Sequence, residues 1–386
     1  MQRRDFLRWA AVGTMLPAWA RGAEEVAAQP PRPRSLVLVE LKGGNDGLNT
    51  LVPHTDPDYY RLRPRLAIPA DAVLALDDRL GLHPSLGPLL PAWQAGELAW
   101  VQGLGYNQPN RSHFRSIDIW ETASDGDQVL EQGWLGRVMP ARAPDALPDV
   151  VILGGDDGLA HGGPLRVITL KTPEEFAREA ARLRQSESPF APTPALAHLH
   201  AVRAQARQAA SEVRHALKSS GETPLAFPKS PLGNQLREVT RMLLAGMAIP
   251  VFKVQIGSFD THANQLDRHQ RLLAQLAEAL AAFRHALSTA GLWDQVLLMT
   301  YSEFGRRVAE NGTGGTDHGT AAPHLVLGGR VKGGLYGEAP SLSALDRGDL
   351  LYTTDYRRLY TTLSQGWWGS IPPSDLAERF PAMAWL

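Results

Sequence analysis

Six short apolar runs, each bounded by polar or glycine-rich sequence, constrain what this chain can fold into. Ser35–Leu41 (SLVLVEL) leads into Lys42-Gly43-Gly44-Asn45-Asp46-Gly47, and residues 98–102 lead into a polar stretch over 103–111. Residues 150–153 open onto the acidic glycine-rich segment 154–158. Val251–Ile256 opens onto Gly257-Ser258-Phe259-Asp260-Thr261-His262, and Val296–Tyr301 onto Ser302-Glu303-Phe304-Gly305-Arg306. Residues 325–327 form the last run. Continuous apolar runs of this length read as strands buried on both faces. Helical patterns over 112–122, 174–184, 196–217, 234–247 and Gln265–Thr289 lie between them. This alternation predicts an α/β fold, a doubly wound, mainly parallel sheet with helices on both faces. The Ala- and Arg-rich span of about 172–231, broken by Pro189, Pro192, Pro194, Pro224 and Pro228, reads as a helical insertion in a single α/β domain over 35–386. Residues 355–369 read as a closing helix with a glycine stop.

In open α/β sheets, ligands bind beyond the carboxyl ends of the strands. Acidic and imidazole side chains recur there. Asp46 follows the first strand, Asp260 and His262 follow Val251–Ile256, Glu303 follows Val296–Tyr301, and Asp317 and His318 precede the last strand. Four distant segments are therefore expected to converge, and carboxylates with imidazoles suit divalent cations. Each element also has a plainer reading. Asn45-Asp46-Gly47 suits a turn. Asp260-x-His262 reads as an Asx-turn, although two-residue spacing on extended chain turns both side chains to one side. Glu303 reads as a partner of Arg306 or Arg307, and Asp317-His318 as a polar loop. His269 and His324 read as structural.

Ser112 falls at the start of a helix, where serine caps the first amides. The alternative is a nucleophile at a helix N-terminus, activated by a metal or base. Arg111 or Arg115 would then grip an anion.

The N-terminus carries Arg3-Arg4-Asp5-Phe6-Leu7, a short apolar run and Pro17-Ala18-Trp19-Ala20. That order is a twin-arginine signal over residues 1–22, followed by a polar, Pro-rich linker over 23–34. The run is too short to span a membrane, and with no cysteine in the chain a lipid anchor on cysteine, disulfides and thiolate chemistry are excluded. The expectation is export by the twin-arginine translocase to the periplasm or beyond, with no membrane anchor after cleavage. A net charge of −1 gives no basic field for nucleic acid. No G-x-S-x-G, H-E-x-x-H or strand-linked G-x-G-x-x-G is present.

Several of these segments together resemble the bacterial family known as domain of unknown function 1501. They are residues 43–53 (GGNDGLNTLVP), 111–122 (RSHFRSIDIWET), 133–137 (GWLGR), 259–262 (FDTH), 300–306 (TYSEFGR) and 316–319 (TDHG). That family looks like a branch of the alkaline phosphatase and sulfatase superfamily. The resemblance implies an alkaline-phosphatase-like core with a bimetal site. By position it implies Asp46, Asp260 and His262 as metal ligands and Ser112 as the nucleophile. Glu303 falls where an Asp usually begins an Asp-His pair, and Phe304 occupies the His place. Asp317 with His318 supplies the missing ligands, or His318 alone matches the last ligand. The implied cofactor is one or two divalent ions among zinc, manganese, calcium and magnesium. The implied activity is hydrolysis or transfer on phosphate or sulfate esters, of a small molecule or a glycan. A sulfatase using formylglycine is disfavoured, because residues 112–115 lack the proline of its motif and the chain has no Cys. The alternative is a non-catalytic exported binding or assembly protein that keeps the fold.

Overall fold

A computed structural model describes residues 34–140, 142, 147–172 and 226–386, with a few isolated positions between 175 and 211. The expected signal and the linker up to residue 33 lie outside the described residues, as does most of the expected insertion. Nine strands form the main sheet. They are β1 (Ser35–Leu41), β2 (Leu98–Gly105), β3 (Val150–Ile152), β4 (Val167–Thr169), β5 (Val251–Ile256), β6 (Val296–Tyr301), β7 (Ala322–Gly328), β8 (Gly334–Tyr336) and β9 (Thr354–Asp355). Their order is β8-β2-β7-β6-β1-β5-β3-β4, with β9 also pairing β2. β1 lies at the centre, parallel to β5 with Leu36 opposite Val251, and parallel to β6 with Leu36 opposite Leu297. β7 runs antiparallel to both its neighbours, β6 and β2.

All seven residues of β1 are buried, as a central parallel strand requires. Val37, Val39 and Leu41 enter one core with α3 (Pro231–Leu244) and α4 (Gln265–Thr289). Leu36 and Leu38 enter the other, with α2 (His113–Thr122) and α5 (Arg357–Thr362), while the short first helix, α1 (Pro57–Leu62), sets Tyr59 in a smaller third cluster. Helices therefore cover both faces, and the sheet is mainly parallel, as the alternation predicted. Ser230 caps α3 by accepting from Gly233 N. After α5 the chain continues as a π-helical segment (Leu363–Trp368) and stops at Gly369 with φ +64°, the glycine stop read from the sequence.

The reversal of β7 matters for the site. A parallel strand delivers the residues after it to the carboxyl edge of the sheet. An antiparallel strand delivers the residues before it to that same edge. The segment carrying Asp317 and His318 therefore meets the loops that follow β1, β2, β5 and β6. Residues 305–307 extend this pairing through Gly305 N–Thr320 O (2.7 Å), Arg307 N–Asp317 O (3.0 Å) and an antiparallel bridge between Arg306 and His318.

Candidate functional site

The turn after β1 is built from Gly43 and Gly44, with φ +115° and +78°. A Cβ on Gly43 would lie 2.4 Å from the Asp260 nitrogen, so glycine alone permits this approach. The turn aims two amides at Glu303, Gly43 N at 2.8 Å from Oε1 and Gly44 N at 2.9 Å from Oε2. The fully buried Arg306 side chain donates to the carbonyls of Gly44 (2.7 Å), Thr316 (3.0 Å), Phe259 (3.1 Å) and Gly43, and to Asp260 Oδ1 (2.7 Å). One guanidinium thus ties the loops after β1 and β5 to the loop before β7.

Around Asp260 Oδ1 lie three imidazole nitrogens. His262 Nε2 is at 3.0 Å, His318 Nε2 at 3.2 Å and His113 Nε2 at 3.7 Å, and the first two are 3.1 Å apart. The other ring nitrogen of each faces an acceptor. His318 Nδ1 is 2.8 Å from the Arg111 carbonyl, His262 Nδ1 3.3 Å from Asp317 Oδ1, and His113 Nδ1 3.4 Å from Glu303 Oε1. A carbonyl can only accept. The two carboxylates are held ionised. A hydrogen bond from Asn311, with further help from His262, keeps Asp317 below the usual carboxylate range. Burial pushes Glu303 up, but hydrogen bonds from His113 and the Gly43 and Gly44 amides outweigh it and hold it low. Burial likewise pushes Asp260 up, and Arg306 outweighs it. Burial lowers the His318 imidazole, favouring its neutral form. His318 Nδ1 therefore carries that neutral ring's proton, which leaves its Nε2 lone pair free for a cation. A cation among these ring nitrogens and the Asp260 carboxylate would be attracted by both. Ligand atoms of His113, Asp260 and His318 lie within 4.8 Å of one another, so the donor set fits a divalent ion.

The remaining expected residues are placed as follows. Glu303 and Asp317 stand behind imidazoles rather than among the inward-facing atoms. Asp46 is buried elsewhere. Its Oδ2 pairs with Arg63 Nη1 at 2.6 Å with neither side chain exposed, and it also accepts from Gln265 Nε2. Burial pushes Asp46 up, and Arg63 outweighs it. Its partners Arg63, Gln265 and the Asn49 amide include none of His113, Asp260, His262 or His318. Phe304, in the position the resemblance gives to a His, sets its ring 4.9 Å from that of His113 and 4.6 Å from that of His318. Ser112 occupies the N-cap of α2, yet its exposed hydroxyl makes no capping hydrogen bond. Arg111 pairs with Asp349. Arg115 is engaged by Asp118 and the carbonyls of Asp125, Gly126 and Gln128, none of them in the cluster. A cleft of about 570 Å³ lined by Tyr106, Arg111, Phe304, Arg347, Asp349 and Tyr352 opens beside the cluster.

The model of a family described as "Protein of unknown function (DUF1501)" matches residues 33–370. The chain belongs to the DUF1501 family. Structures similar to this DUF1501 chain include a protein described under glycosaminoglycan metabolism by Bacteroides thetaiotaomicron, at 11% identity over 89% of this chain and 74% of that one, TM-score 0.41. Another is the phosphonate monoester hydrolase of Agrobacterium radiobacter, at 10% identity over 88% and 74%, TM-score 0.37. A third is a protein in the alkaline phosphatase superfamily from Vibrio parahaemolyticus, at 9% identity over 81% and 64%, TM-score 0.31. No curated protein matches the sequence. Within the DUF1501 chain, His113 is the cluster member that the sequence pattern places only at a helix start. It adjoins Ser112 on the loop after a strand end, the same signal that marks the other ligand candidates.

Proposed function

We propose that this DUF1501 protein is an exported, metal-dependent hydrolase or transferase of phosphate or sulfate esters, with His113, His262, His318 and Asp260 holding a divalent ion. The observation that carries this reading is the convergence of three imidazole Nε2 atoms on Asp260 Oδ1, each ring fixed from behind by an acceptor. Outer partners of this kind orient metal-ligating histidines. A majority of imidazoles favours zinc over calcium or magnesium. A divalent ion bound there supplies electrophilic stabilisation for an ester oxygen and for a hydroxyl nucleophile.

The chain's own residues complete the site. Ser112 presents an uncapped hydroxyl beside His113, at the N-terminus of α2, where free amides and the helix dipole favour negative charge. Arg111 places its carbonyl on His318 and its guanidinium on the cleft. Phe304, itself buried, packs its ring against those of His113 and His318. Tyr106 and Tyr352 on the cleft suit a ring-bearing ester of a small molecule or glycan. Export by the twin-arginine translocase, to the periplasm or beyond, rests on residues 1–22.

Elemental analysis of the purified protein tests the metal directly. The expected result is one divalent ion per chain, lost in D260N and kept in S112A. Turnover of aryl phosphates or aryl sulfates should fall at least about a thousandfold in S112A. Absence of metal, or undiminished turnover in S112A, overturns the mechanism. Phe304 among the imidazoles and Arg63 on Asp46 favour a second reading, a non-catalytic binding or assembly protein. Metal binding without turnover of any aryl ester, with zinc, manganese, calcium or magnesium supplied, would assign that role.

A further inference from the structure

We infer that Arg347, Arg307 and Arg111 form an anion subsite beside the candidate metal centre, for a second, non-reacting oxyanion on the substrate. The inference rests on the ester-processing reading of the same cleft.

Two short antiparallel strands, Leu345–Asp346 and Asp349–Leu350, form a hairpin. Its two turn residues, Arg347 and Gly348, have φ +52° and +89°. Two positive φ values describe a turn that favours Asn-Gly or Asp-Gly. An arginine in the first position is strained, and strain of this kind collects at functional sites. Four of the five described non-glycine residues with positive φ lie at this site. Gln108 and Arg347 line the cleft, and Ser258 and Asn264 flank Asp260 and His262.

The hairpin holds a crowded set of cations. Asp349, buried at 2% exposure, pairs with Arg111 through Oδ2. Arg307 Nε stands 3.6 Å from Asp349 Oδ1, beyond hydrogen-bond reach, and that oxygen has no hydrogen-bond partner. The Arg307 guanidinium also reaches the turn, since a Cβ on Gly348 would lie 3.5 Å from its Nη1. Arg347 is 82% exposed and meets its neighbour Asp346 at 3.3 Å, an exposed pair of little strength. Two guanidinia thus share one buried carboxylate while a third, Arg347, stands on the turn beside them, and an oxyanion would relieve the crowding. Arginine forks suit planar or tetrahedral oxyanions. Arg111 and Arg347 line the same cleft as Phe304, which touches His113 and His318, so one ligand can address both places.

Calorimetric titration of inorganic sulfate into the purified protein, with and without EDTA, tests this apart from turnover. The expected result is sulfate binding that persists in EDTA and weakens at least about tenfold in R347A and in R307Q. Both side chains are at least partly exposed, so both variants should fold. No sulfate binding, binding indifferent to both substitutions, or binding abolished by EDTA overturns the subsite. On active protein, R347A should lower the preference for an ester bearing a second anionic group over one without it, chiefly through KM. Failure of the metal or S112A tests removes the ester reading and leaves the sulfate result to be judged separately.

Discussion

Two aspartates separate what a sequence can say about a single side chain from what it cannot. Asp46 and Asp260 both follow central strands and both read as ligands. The structure gives Asp46 a buried guanidinium from Arg63 and gives Asp260 three imidazoles. Nothing local to Asn45-Asp46-Gly47 announces an arginine 17 residues later, whose Nε and Nη2 are themselves fixed by the carbonyls of Val308 and Arg307. Breaking one partner of a buried pair leaves an uncompensated charge. We therefore expect D46N to lose about 3–5 kcal/mol in urea unfolding while still binding the proposed divalent ion. Metal loss at full stability would instead make Asp46 a ligand. Asp317 offers the opposite case, since it is exposed and its carboxylate meets His262 and Asn311. D317N should fold normally and bind metal about 10- to 100-fold more weakly in a chelator competition. Unchanged affinity would remove Asp317 from any supporting role.

Among the elements, β1, β5, β6 and α4 have the bounds that their apolar patterns predicted, and α2 starts one residue later, because a central strand or an amphipathic helix writes its burial directly into residue order. The edge pieces β4 and β8 did not show, since three-residue strands leave too short a pattern. The direction of β7 was also illegible, because period and hydrophobicity carry no sense of polarity. The site nevertheless assembles because of that direction. The far end of α2 carries another feature with no sequence signal. Glu121 meets the buried Lys253 of β5 at 2.6 Å, and Asp156 and Glu40 approach the same ammonium at 3.2 and 3.3 Å. Three carboxylates share one cation, so the ammonium stays charged while one carboxyl retains its proton. Burial drives Glu121 up to about 7 against the pull of Lys253. Its folded value exceeds its ordinary 4.5, so its contribution is full below that value and is lost as pH rises through about 7. Stability should fall by about 3 kcal/mol between pH 4.5 and 7.5 on this account, and E121Q should flatten that slope. Parallel curves for the two proteins would refute the assignment.

At the scale of the molecule, the described residues from 34 onward form one compact unit, and no helix among them is long and apolar enough to cross a membrane. The inward-facing side chains come from positions 113, 260, 262 and 318, so any ion they hold binds the folded chain in preference to the unfolded one. Saturation at a hundred times the dissociation constant adds about 2.7 kcal/mol. For a unit of this size EDTA should then lower Tm by about 3–5 °C in calorimetry, and D260N should be insensitive to it. A central first strand has one more consequence, measured in time. The two neighbours of β1 begin at residues 251 and 296, so no partner exists when Ser35–Leu41 leaves the ribosome. At 5–20 residues per second the wait is roughly 10–40 s. Throughout it, a largely apolar strand with both edges unpaired must be shielded by something other than its own sheet.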